Sequence, residues 1–76
     1  EYKAINIDVV QKLAEKKNLT VVGFSDLVDA GFVSANQLVK ILGNGTISIK
    51  LEVQAHAFSK SAISAIEALD GNVVKL

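Results

Sequence analysis

The chain has 76 residues, half of them apolar, with no cysteine, no methionine, no proline and a single histidine. Disulfides, thiolate metal sites and cysteine nucleophiles are thereby excluded, and a zinc site would have to rely on carboxylates, which is uncommon. Eight lysines balance eight carboxylates with no arginine, so the basic excess that a free-standing phosphate binder usually carries is missing.

A chain this short makes one domain at most and buries only about 60% of the surface its unfolded form exposes. No apolar run approaches the roughly 20 residues a membrane span requires. A sequence that opens on Glu1 and contains no methionine is expected to be cut from a longer protein.

Tyr2–Ile7 alternates apolar and polar residues, a short strand pattern. Asp8 stands where an N-cap belongs, and Gln11 three residues later completes a capping-box spacing. Val10, Leu13 and Ala14 then form one apolar stripe, which predicts a helix over 9–17. Lys16 and Lys17 fall in its last turn, where cations suit the helix dipole, and Asn18 is a plausible stop. Residues 19–22, three of them β-branched, read as extended. Ser25 can cap a short helix over 26–30 closed by Gly31, with Phe24, Leu27, Val28 and Phe32 as core anchors.

Residues 34–37 are loop-like, and 38–42 form a strand candidate with Lys40 in its middle. Gly43-Asn44-Gly45 is turn punctuation, and Asn-Gly favours a tight hairpin. Ile47, Ile49, Leu51, Val53 and Ala55 alternate with polar residues, a half-buried strand over 47–57 that should break near 48–50 because of its length. Ser59 caps a second long helix with Ala62, Ala65, Ile66 and Leu69 on one face, ended by Gly71. A last strand follows over 72–76.

Candidate chemistry is sparse. Ser59-Lys60-Ser61 at a helix mouth could hold an anion through free N–H groups, two hydroxyls and a lysine; simple capping by Ser59 is the competing reading. His56 lies three residues before Ser59, but no acid is placed to orient an imidazole base, so no hydrolytic triad can be assembled. The Gly-Asn-Gly segment lacks the Lys-Ser/Thr ending of a phosphate-binding loop. Asp8, Asp26, Asp29 and Asp70 fall at helix ends or on exposed faces, where capping and solubility account for them.

The second half carries a more specific pattern. VKILGNG, followed by TISIKLEVQAHAFSKSAISAIEALDGNVVKL, resembles the C-terminal signature of the bacterial-type large-subunit ribosomal protein fifteen family, which shares a superfamily with the archaeal and eukaryotic eighteen-e proteins. The resemblance rests on the Lys-apolar-apolar-Gly-x-Gly turn, the Leu-x-Val strand, the Ala-His-x-Phe-Ser-x-Ser-Ala run and the apolar helix ending in glycine. INIDVVQKL and LVDAGFV in the first half agree more loosely. Ser25 stands where proline is frequent, Ile63 where a charged residue is usual, and Asp70 where glycine is common.

The resemblance implies a C-terminal α/β domain of alternating short strands and helices in an irregular, superhelical ββα arrangement with a mixed sheet. A long antiparallel hairpin over 38–57 is the alternative from pattern alone. It also implies a structural constituent of the cytoplasmic ribosome, not an enzyme, joined in family members to a basic N-terminal extension that supplies most of the charge. The partners would be 23S-type ribosomal RNA and neighbouring large-subunit proteins, with no cofactor, membrane or small-molecule substrate. Lys40, Lys50 and Lys60 would meet phosphates, His56 a groove or backbone, and Ser59 and Ser61 would donate at the helix mouth. A protein-only interaction module is the rival reading, supported by the neutral charge and the mixed-sign polar face over 48–56.

Overall fold

The computed structural model describes all residues, 1–76. The chain order is β1 (Tyr2–Asn6), α1 (Ile7–Lys17), β2 (Val21–Val22), α2 (Phe24–Asp29), β3 (Leu38–Leu42), β4 (Glu52–Ala55), β5 (Ala57–Phe58), α3 (Lys60–Glu67) and β6 (Asn72–Lys75). Strands of odd number build one three-stranded sheet in the order β1-β3-β5, and strands of even number build another in the order β2-β4-β6.

All four pairings are parallel, with Tyr2 opposite Leu38, Lys40 opposite Ala57, Val22 opposite Val53, and Val53 opposite Val73. The chain therefore winds as a flattened coil, adding one strand to each sheet on every pass. Successive passes run in the same direction, so each new strand meets its predecessor in parallel. The α/β class and the superhelical winding agree with expectation, while the sheet is not one mixed sheet but two parallel ones. The hairpin over 38–57 does not form. The nine residues 43–51 between β3 and β4 carry the chain from one sheet to the other, which a two-residue turn cannot do.

The strand expected over 47–57 forms only over 52–55 and 57–58, so residues 47–51 lie outside any strand rather than on either side of a break, and one tie there is specific. The Ser48 N–H donates to the Gln11 Oε1 at 2.6 Å, and the Gln11 Nε2 donates to the Ser48 hydroxyl at 3.1 Å. This two-point tie holds Ser48 against α1 rather than in a ladder. Gln11 is thus not a capping-box partner. Helix α1 begins two residues earlier than its stripe suggests, with Asn6 at the N-cap and Asp8 in the first turn. Ile7 is fully buried and starts the helix directly from the strand.

For α2 the cap is Gly23 rather than Ser25, and the Asp26 carboxylate accepts the Gly23 N–H at 2.8 Å. Ser59 caps α3 as expected, its hydroxyl accepting the Ala62 N–H at 3.2 Å. The core lies between the two sheets and the helices: Ile5, Val39 and Ile41 from one sheet, Val22, Val53 and Ala55 from the other. Ile7, Val10, Leu27 and Ile66 fill it from the helices. Of the expected anchors, Leu27 is fully buried, Phe24 and Val28 are half-buried, and Phe32 is not a core residue; it is 37% exposed, and Val33 turns inward in its place.

Candidate nucleic-acid interface

The parallel pairing puts the C-terminal ends of β1, β3 and β5 on one edge, where Asn6, Leu42 and Phe58 end their strands. Helices α1 and α3 both start at this edge. In open α/β sheets this is where ligands tend to bind, because loops and helix N-termini converge there. The Gly43-Asn44-Gly45 turn lies between the two helix mouths. A methyl group added at Gly43 would stand 2.8 Å from the Ala62 amide nitrogen and against the Ser61 side chain; one added at Gly45, which has φ 91°, would stand 2.6 Å from the Asp8 Cγ. The turn is therefore a spacer between two helix starts, and only glycine fits so close.

This packing decides what the helix mouth can do. The Ser59 hydroxyl accepts from Gly43 N–H at 3.1 Å as well as from Ala62 N–H, and lies 3.2 Å from the Ser61 hydroxyl. Ser59 is consumed in fastening the turn to the helix. Ser61 and Lys60 remain exposed at the same mouth. Asp8 flanks the other side of the turn, and its Oδ1 and the Asn6 Oδ1 are buried without a hydrogen-bond donor. That flank is rich in acceptors and disfavours a phosphate, so any anion would sit on the α3 side.

Lys40 is half-buried on β3, in register between Ala4 and Ala57, two residues back from the edge. His56 is not a free surface residue. Its Nδ1 accepts the Val39 N–H at 3.0 Å, its own backbone N–H donates to the Val39 carbonyl at 3.1 Å, and its ring meets Phe24 edge-on with centroids 5.0 Å apart. Only the Nε2 side of the ring is left for a partner. Lys50 stands apart from the rest. It lines a cleft of about 470 Å³ with Thr20, Glu52, Asp70 and Asn72, where β4 and β6 begin. Residues 51–58, which include β4 of one sheet and β5 of the other, separate it in the chain from the α3 mouth. The six expected residues are thus not one site: Ser59, Lys60 and Ser61 gather at the strand-end edge, Lys40 lies two residues behind it on β3, His56 braces β3 at Val39, and Lys50 lies elsewhere beside two carboxylates.

A basic cleft that the spacing of lysines did not single out lies along α1. Val9, Lys12, Leu13, Lys16 and Lys17 form one wall and Asp29, Ala30 and Phe32 the other, around about 510 Å³. A second cleft of about 280 Å³ runs on from it, sharing Val9 and Phe32 and adding Lys3. The i, i+3, i+4, i+7 stripe Val9-Lys12-Leu13-Lys16 was visible in the sequence. Its meeting with Phe32 was not, because that depends on how α2 folds back. No group of three histidine, cysteine or carboxylate side chains is placed to hold a metal ion, and no helix is long and apolar enough to cross a membrane.

Comparison with known proteins agrees with the resemblance carried by the signature. A family model described as ribosomal proteins 50S-L15, 50S-L18e and 60S-L27A matches residues 4–74. The large ribosomal subunit protein uL15 of Phocaeicola vulgatus is 66% identical over 76 residues, covering 100% of this chain and 51% of that protein. The same-named proteins of Bacteroides thetaiotaomicron and Porphyromonas gingivalis are 67% and 55% identical over the same span, with the same coverage. The chain spans about half the length of the curated relatives it matches. With the match running from the first strand to the last, the chain belongs to the family of ribosomal proteins 50S-L15, 50S-L18e and 60S-L27A.

Proposed function

We propose that this chain is the globular part of a structural constituent of the large ribosomal subunit, working in the cytoplasm as part of the ribosome. It is held against 23S-type ribosomal RNA and neighbouring large-subunit proteins and does no chemistry of its own. The observation that carries this reading is the 66% identity to the large ribosomal subunit protein uL15 along the whole chain. The site geometry is compatible with it: the strand-end edge offers a lysine, a hydroxyl and helix-mouth amides, but no nucleophile with a base beside it.

Within that role Lys60 and Ser61 meet an RNA phosphate at the α3 mouth, with Lys40 contributing charge from the adjacent strand. Ser59 and His56 act behind them, Ser59 by fastening the Gly43 turn and His56 by bracing β3, with its Nε2 available to a backbone acceptor. Lys50 makes a separate and weaker contact, because Glu52 and Asp70 share its cleft. The rival reading, attachment through protein alone, draws on the outer face of the β1-β3-β5 sheet. Tyr2 and Leu38 lie opposite each other there, 49% and 43% exposed.

Salt separates the two. The chain is titrated onto large-subunit particles stripped of their own copy, at rising potassium chloride. Affinity should fall steeply with salt, and Lys60→Ala should weaken binding and flatten the salt slope by about 1 without changing the thermal unfolding of the chain. Binding indifferent to salt would mean a protein-only attachment. An unchanged slope for the variant would remove Lys60 from the interface.

A further inference from the structure

The exposed phenylalanine on the α1 side has no role in the core, and its surroundings are strongly one-sided in charge. Four of the eight lysines, Lys3, Lys12, Lys16 and Lys17, line the two joined clefts, against one of the eight carboxylates, Asp29. In a chain with no net charge, that concentration leaves the rest of the surface acidic on balance. Between the lysines the lining is apolar: Val9, Leu13 and Ala30, with Phe32 lining both clefts. An apolar lining with an exposed aromatic ring, rimmed by flexible cations, is what single-stranded nucleic acid requires. Bases stack on the ring and phosphates lie along the lysines.

We infer that the α1–Phe32 groove is a second RNA-docking surface, which takes an unpaired RNA segment by stacking a base on Phe32 while Lys12, Lys16 and Lys17 hold its phosphates. The inference rests on the chain being an RNA-associated ribosomal constituent, and it extends that reading to a surface separate from the α3 mouth. Charge complementarity selects the occupant. An acidic protein segment would satisfy the lysines but would leave Phe32 bare, whereas a nucleotide chain uses both. Duplex RNA offers no unstacked base to the ring and should bind less well. The lysines also gain a reason beyond the helix dipole, since Lys12 is a full turn from the end of α1 and lines the same groove.

The chain contains no tryptophan, so Phe32→Trp creates a single fluorescent reporter at the proposed stacking position. It is titrated with a mixed-sequence 12-nucleotide single-stranded RNA, with total binding followed separately by anisotropy of the labelled RNA. Quenching should track binding. Adding Lys12→Gln, Lys16→Gln and Lys17→Gln together should lower affinity at least tenfold and flatten the salt slope by about 2. Phe32→Ala in the otherwise native chain should cost about fivefold or more, with its circular dichroism unchanged. RNA that binds without altering the emission places the contact elsewhere and overturns the groove. RNA that does not bind at all overturns it too. Attachment to large-subunit particles through Lys60 is measured independently, so either failure leaves that reading standing or falling on its own result. Hexaglutamate that quenches as strongly as RNA, with the same midpoint, would overturn the RNA assignment in favour of an acidic protein partner.

Discussion

All three helices end on the same device, and only one of them uses the residue best suited to it. After α1, the Asn18 N–H donates to the Glu15 carbonyl and the Leu19 N–H to the Ala14 carbonyl; after α2, Gly31 and Phe32 donate to Val28 and Leu27; after α3, Asp70 and Gly71 donate to Glu67 and Ile66. These are the paired bonds of a Schellman ending, which demands a left-handed residue at the turn. Asn18, Gly31 and Asp70 occupy it with φ of 55°, 83° and 61°. Asparagine and glycine are the usual occupants. Aspartate pays a steric cost there and sets a negative charge at the negative end of a helix dipole. Asp70→Gly should therefore stabilise the chain, by about 1 kcal/mol after the extra chain entropy of glycine is set against the relieved strain. For a domain of this size that raises the melting temperature by about 4–8 °C. A melting temperature that stayed level or fell would mean that the carboxylate makes a compensating contact, and a thermal melt followed by circular dichroism decides it.

At the scale of elements, β5 shows why part of this molecule could be read and part could not. It is only two residues long, Ala57–Phe58, too short to pair the whole of β3. The Val39 N–H, on a fully buried residue, would face the missing strand without an acceptor. The His56 imidazole supplies one through Nδ1 at 3.0 Å. This geometry requires the ring proton to sit on Nε2. His56→Ala would leave a buried amide unpaired and remove the edge contact to Phe24, a loss of about 2–4 kcal/mol in a urea melt. A loss below about 0.5 kcal/mol, the level of an ordinary surface substitution, would show that the bond does not hold the strand. Sequence spacing placed His56 on a polar strand face because alternation reports which side a residue takes, not whether its neighbour's ladder is complete. The helix positions were legible from their apolar stripes, and Ser59 from its place before one. The reading of Gly43-Asn44-Gly45 as a hairpin failed for the opposite reason: Asn-Gly encodes a tight turn, but the need for both glycines comes from Ala62 and Asp8, distant in sequence. The α1 groove was hidden for the same cause, since Lys12 and Lys16 acquire Phe32 as a neighbour only after α2 has folded back.

The winding of the whole chain sets how it should come apart. β3 is the middle strand of one sheet and β4 the middle strand of the other, and they follow one another in the chain. Val39, Ile41, Val53 and Ala55 on these strands are fully buried, so neither sheet has a core of its own; the two share one. His56, directly after β4, then fastens itself to β3 through both its backbone and its ring. Two sheets that share a core and are cross-tied at their central strands cannot open separately without exposing the same side chains twice. The amides of β3 and β4 should therefore exchange with solvent only through one global unfolding, at a common free energy of about 4–11 kcal/mol. Those of the edge strands β2 and β6 should exchange through smaller local openings. Native-state hydrogen exchange at a series of low urea concentrations tests this: the isotherms of β3 and β4 should merge as denaturant rises. Isotherms that stayed apart by more than about 1 kcal/mol would show two independently opening sheets, with the interleaved winding a matter of connectivity and not of cooperativity. A single cooperative unit matters for the proposed role, because the α3 mouth and the α1 groove belong to the last and first helices of the same winding. Two RNA contacts fixed to one rigid body hold their spacing, and a structural constituent contributes that fixed spacing to the particle around it.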